Sequence, residues 1–136
     1  MNTPIPYTSI PMIQIDEAIR LYHNNNFICA YTLAGAAEGV LRGILENDLK
    51  IEDHSFTYTK SRLSEMFGLS QKEVGKFLRI NRNALNHYTP EHMANIRIGA
   101  VETRGLIARV IYDYSKAERA GLSEEMENFR QYLLAL

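Results

Sequence analysis

The alternation of apolar and polar positions divides the chain into amphipathic helical segments. Ile15, Ala18, Ile19 and Tyr22 follow an i, i+3, i+4, i+7 spacing. That spacing predicts one buried face of a helix that starts near Asp16 and ends at the Asn24-Asn25-Asn26 turn. His23 closes its last turn, where a cation suits the helix dipole. A second helix is expected over 27–47, with Leu33, Ala37, Val40, Leu41 and Ile44 as its apolar stripe. Cys29 falls near its start and reads as a small buried side chain. Gly35, Gly39 and Gly43 recur on another line of this helix. Since each glycine costs about 0.5–1 kcal/mol against alanine, the line predicts close backbone packing within the fold, or a seam for self-association.

A polar connection is expected from Asp48 to Tyr58, with Asp53 and His54 as a solvated pair. Thr59 then caps a short helix over 60–67 that breaks at Gly68. Ser70-Gln71-Lys72-Glu73 is an S-x-x-E capping box and gives the next helix the clearest start in the chain. Val74, Phe77 and Leu78 point to the core, and Lys72, Lys76 and Arg79 share the opposite, solvent-facing side. Thr89-Pro90 repeats a start signal. From there Met93, Ile96, Ala100, Thr103, Ile107, Val110 and Tyr114 keep a 3–4 alternation, which predicts one long helix over 90–120, stopped at Gly121. Ser123 caps a last helix with Glu124 and Glu125 in its first turn and Met126, Phe129, Leu133 and Leu136 on its inner face. No segment alternates with period two between turns. The expected fold is an all-α bundle of five or six helices.

Residues 1–12 hold three of the four prolines, at positions 4, 6 and 11, and predict an extended N-terminal arm. The remainder, 13–136, is the size of one domain, and 46% apolar content suffices for one core. A single cysteine excludes an intramolecular disulfide and fits a reducing compartment. The start lacks a signal-peptide pattern, and no uninterrupted apolar run reaches the ~20 residues that span a bilayer. A cytoplasmic protein without a membrane partner is expected. Formal net charge is −1, so affinity for a polyanion has to come from a local patch. One exists over 60–82, where Lys60, Arg62, Lys72, Lys76, Arg79 and Arg82 face only Glu65 and Glu73.

Two motifs overlap in that basic region. Leu63, Phe67, Leu69, Val74 and Phe77 around the Gly68 turn place apolar residues where a bacterial helix-turn-helix has them. The stretch 60–79 resembles that motif, with Ser64 standing where the pattern prefers alanine. The resemblance implies a DNA-binding regulator whose second helix offers Gln71, Lys72 and Lys76 to a major groove. The other motif is Arg82-Asn83-Ala84-Leu85-Asn86-His87, followed at once by Tyr88. An Arg, a polar neighbour and a His five positions on resemble the R-x4-H signature of HEPN domains. These are all-helical bundles, many of them dimeric, metal-independent ribonucleases. The resemblance implies RNA as partner and a homodimer. In RNA cleavage His87 would act as acid and base, Arg82 as phosphate ligand, and Asn83 would orient one of them. Lys72, Lys76, Arg79 and Tyr88 would bind the nucleic acid. The segment Tyr31 to Glu38 together with Asn83-x-x-x-His87 also looks like a group of uncharacterised bacterial helical proteins, in which the Arg is not constant. That resemblance keeps a non-catalytic helical interaction protein as a further expectation.

Other chemistry has no motif here. The chain has no glycine-rich phosphate loop, no G-x-S-x-G, no paired cysteines and no E-x-x-H pair. Glu91 and His92 lie near His87, but Pro90 breaks the helical spacing that a metal site would need. No cofactor and no metal are expected.

Overall fold

A computed structural model describes residues 3–51, 54–68, 70–73, 75, 79, 85, 96–118 and 121–136. The fold is an all-α bundle, and no strand occurs among the described residues. Its helices are α1 (Ile10–His23), α2 (Phe27–Gly43), α3 (Ser55–Phe67), α4 (Ala100–Ala117) and α5 (Glu124–Leu134). A short 3-10 turn, Tyr7–Ser9, leads into α1. Residues 71–73, 75, 79 and 85 are also helical.

The core forms where α1, α2, α4 and α5 meet. Ile15, Ala18, Ile19 and Tyr22 of α1 are buried, as their spacing predicts. They pack with Ala30, Ala34, Ala37 and Leu41 of α2, with Leu106, Ile107 and Val110 of α4, and with Met126 and Phe129 of α5. Burying a large apolar side chain contributes about 1.5–3 kcal/mol, so these residues hold the bundle together. An aromatic group ties α5 to α1. Phe129 meets Tyr22 edge-on with ring centroids 5.4 Å apart, and the hydroxyls of Tyr22 and Tyr132 hydrogen-bond at 2.8 Å. An apolar groove of about 330 Å³ between α4 and α5 is lined by Ile111, Leu122 and Leu133.

Several element boundaries differ from the sequence expectation. The first helix begins at Ile10, not near Asp16, and takes up the end of the expected extended arm. Pro11 allows this because the first turn of a helix has no use for its missing N–H. The third helix begins at Ser55 rather than Lys60. His54, expected in solvated connection, is 1% exposed and is the N-cap, its imidazole accepting the Thr57 N–H. The long helix expected over 90–120 is helical only from Ala100 to Ala117 among its described residues. Residues 96–99 are not helical, extended Gly99 serves as N-cap, and Ile96 is exposed. In α5 the inner face stops short of the terminus, since Leu136 is exposed and Leu133 half-buried. The expectations for Val74, Phe77, Leu78 and Met93 lie outside the described residues.

The second helix follows its expected span but ends in a π turn, Ile44–Asp48. Cys29, expected inside, is exposed on its first turn. Gly35 is buried, but Gly39 is exposed, and a Cβ placed on Gly39 or Gly43 would meet nothing within 4 Å. The close backbone packing expected within the fold therefore does not occur at those two glycines. Phe27–Asp48 is long and apolar enough to cross a membrane by length and composition alone, with mean hydropathy 1.3 over its best window; half of that window is buried inside the fold.

Three local signals land as read. Gly68 ends α3 in the left-handed region, at φ 66°. Ser70 Oγ accepts the Glu73 N–H at 3.2 Å and donates to the Glu73 carboxylate at 3.0 Å. Ser123 caps α5 by accepting the Met126 N–H and also donates to Asp16 of α1 at 2.7 Å.

Candidate functional site

The N-terminal turn of α3 is where polar chemistry concentrates. It packs against α4 and reaches the π turn that ends the second helix, and both supply charged partners to it. Asp113 of α4 is fully buried and accepts the Ser55 N–H at 2.7 Å and the Ser55 hydroxyl at 2.9 Å. Desolvation raises its pKa; the two Ser55 hydrogen bonds oppose that, the nearby Glu38 carboxylate adds to it and His54 counters it. His54 Nε2 meets the Glu46 carboxylate at 2.7 Å, while Nδ1 accepts from Thr57. One helical turn before Asp113, Arg109 donates from Nη2 to the buried Glu38 of α2 at 2.9 Å. The Arg109 Nε is buried and has no acceptor, so the guanidinium is incompletely satisfied.

Two surfaces flank this buried group. On one side Tyr58 and Thr59 of α3 and Ala108, Arg109 and Tyr112 of α4 border a groove of about 530 Å³, with Ser55 at its floor. Tyr58 and Tyr112 are both exposed, and the Lys116 ammonium stands 5.1 Å from the Tyr112 ring centroid. On the other side, among the described residues, three cations gather at the buried Phe56 ring. Arg42 of α2 lies 5.0 Å from its centroid, Lys60 of α3 5.5 Å, and Arg79 5.4 Å. Among the described residues none of these three has a carboxylate partner. Each gains about 0.5–1 kcal/mol from the ring at a half-exposed position, but like charges gathered at one ring repel. A bound anion would relieve that repulsion, and forked guanidinium groups suit a phosphate.

The residues expected to bind nucleic acid fall unevenly on this frame. Arg79 belongs to the cation cluster; it folds back over Phe56 and is half-buried rather than fully solvent-facing. Both side chains pass close to buried Gly75, where a Cβ would lie in van der Waals contact, 3.4 Å from the Arg79 guanidinium and from the Lys60 side chain. Lys72 is exposed, as expected. Lys76, Arg82, Asn83, His87 and Tyr88 lie outside the described residues.

Arg42, Tyr58, Arg109 and Asp113 carry no signal in the sequence, and His54, expected in solvated connection, is buried. Lys60 was visible in the local charge balance, and the remaining groups carry no motif. Among the described residues no group of three or more His, Cys, Asp or Glu side chains is arranged to hold a metal ion. Comparison of the chain with protein-family models, with curated proteins and with solved structures finds no match.

Proposed function

We propose that the protein binds RNA through the basic surface formed by Arg42, Lys60, Lys72 and Arg79, and that it acts as a HEPN-like, metal-independent ribonuclease. The observation that carries the binding is the convergence of Arg42, Lys60 and Arg79 on Phe56 without a carboxylate partner among the described residues, in a chain of net charge −1. Cation clusters of this kind neutralise phosphates and release counterions. The cleavage rests on the R-x4-H resemblance. In it His87 takes the 2′-OH proton and later returns it to the leaving oxygen, Arg82 steadies the charge on the phosphate, and Asn83 orients one of them. A homodimer would pair two such sets.

Incubating labelled RNA with the purified protein in EDTA tests the reading. Cleavage should occur and should be lost in His87→Ala and Arg82→Ala. Intact RNA, or cleavage that both variants retain, would sink the nuclease. RNA binding that does not weaken as salt rises would sink the basic surface as its site.

A DNA-binding regulator is the second reading. It is favoured by the left-handed Gly68 turn between α3 and the Ser70-capped helical segment, the connection a helix-turn-helix requires. Arg79 weighs against it, because a side chain folded over Phe56 is turned toward α2 and α3. Duplex binding abolished by Lys72→Ala with Lys76→Ala, without any binding of RNA, would favour the regulator.

A further inference from the structure

None of the described residues lining the groove between α3 and α4 belongs to the R-x4-H motif, and the groove adjoins the cation cluster. Tyr58 and Thr59 follow Phe56 within one turn of α3, so groove and cluster occupy neighbouring faces of one helix roughly 10–12 Å across. From this juxtaposition we infer that the groove holds an unpaired nucleobase, stacked on Tyr112 and Tyr58, while the strand's phosphates lie on Arg42, Lys60 and Arg79. The ligand class is thereby narrowed to single-stranded nucleic acid. This rests on the RNA-binding reading above and refines the same surface.

Size, lining and charge all favour that occupant. A volume of about 530 Å³ lies within the ~300–1,000 Å³ usual for small-ligand sites and leaves room for one base with its sugar. The two tyrosines are the exposed aromatic rings of the groove, and base stacking on such rings tolerates any sequence because every base has a π face. Thr59 and Arg109 set polar groups at the rim, where a base edge or a sugar hydroxyl finds partners. Glu38 holds the Arg109 guanidinium in place from below, so the rim is rigid. A duplex keeps its bases stacked inside and cannot place one between these helices without flipping it out, which costs a few kcal/mol. An acidic peptide could answer the cations but has nothing to stack on the tyrosines.

The test uses a short single-stranded 2′-O-methyl RNA, which cannot be cleaved through its 2′ position, carrying one 2-aminopurine. Controls are the same strand with an abasic site at that position, its duplex, and polyglutamate. The base-bearing strand should bind about tenfold more tightly than the abasic one, and its fluorescence should be quenched on binding. Tyr112→Ala and Tyr58→Ala should remove the preference and the quench, whereas Tyr112→Phe should keep both. Lys60→Ala should instead weaken both strands equally and lower the salt dependence. Equal affinity for base-bearing and abasic strands, a duplex or polyglutamate bound as well as the single strand, or quenching retained in both alanine variants would each overturn the inference and leave the RNA-binding surface standing. Failure of every nucleic acid to bind would overturn both.

Discussion

Asp113 accepts two hydrogen bonds from Ser55, a residue 58 positions earlier in the chain, and so caps α3 from a neighbouring helix. Helix caps are ordinarily supplied by the residue just before the helix. Here His54 supplies that local cap as well, and the first turn of α3 is fastened to α4 by the second one.

The Asp113 cap sets a pH dependence. Burial raises its pKa, with Glu38 adding to the rise and His54 opposing it. The unfolded chain therefore gives up this proton at a lower pH than the folded protein. The contribution is neutral below the ordinary Asp value of about 3.9 and destabilises the fold as pH rises from there through the raised pKa. In Asp113→Asn the amide oxygen still accepts the Ser55 N–H and the amide N–H donates to the Ser55 hydroxyl. That variant should lose this part of the pH slope in urea unfolding and be no less stable than wild type near neutrality. Asp113→Ala leaves the Ser55 donors unmet and should cost about 2–3 kcal/mol.

The Arg109–Glu38 pair should show strong coupling. Arg109→Ala strips a cation from a buried carboxylate and should destabilise by about 3 kcal/mol. Adding Glu38→Gln should recover a large part of that loss, since position 38 then carries no charge to bury. Simple addition of the two single effects in a double-mutant cycle would contradict the pairing.

Glycine 39 offers a test of the outer face of α2. Its added Cβ would meet nothing within 4 Å and the helix is regular there, so Gly39→Ala should stabilise by about 0.4–1 kcal/mol and raise Tm by a few degrees. If that face is a seam between two copies, the same substitution should weaken self-association in sedimentation while leaving the fold intact.

Thiol reactivity checks the position of Cys29. A cysteine exposed on α2 should react with a thiol reagent in the native protein about as fast as in urea. A native thiol that reacts only after unfolding would place it inside.

In the aromatic group, Phe129→Ala should cost about 3–5 kcal/mol, because a fully buried ring wedged against Tyr22 leaves a cavity. Tyr132→Phe removes a single hydroxyl contact and should lower Tm far less than Phe129→Ala does.

What the sequence disclosed follows the range of the interactions involved. The Ser70 and Ser123 caps, the Gly68 stop and the buried face Ile15–Tyr22 act within a turn or two, and periodicity and residue type express them directly. The first turn of α3 escaped because its partners, Glu46 and Asp113, come from other elements, and nothing near His54 announces that it will be buried. Ala100–Ala117 was read too long at its start, since Ile96 continues an apolar rhythm that Gly99 interrupts. At the candidate site the charge excess was legible and its arrangement was not. Lys60 and Arg79 stand nineteen positions apart in sequence, and only packing brings them with Arg42 onto one ring.

The π turn at the end of α2 shifts the phase of the chain. A π turn takes in one residue more than an α turn, so it changes which side of the helix the following positions face. Ile44 and Leu45, adjacent in sequence, are both buried, and Glu46 is left to reach His54. Deleting Ile44 or Leu45 would move Glu46 back by one position and turn it away from the imidazole by about 100°, one residue's rotation in an α-helix. Insertions and deletions in this stretch should therefore be far less tolerated than in an ordinary connection between helices, because the length of the chain here sets the aim of the carboxylate.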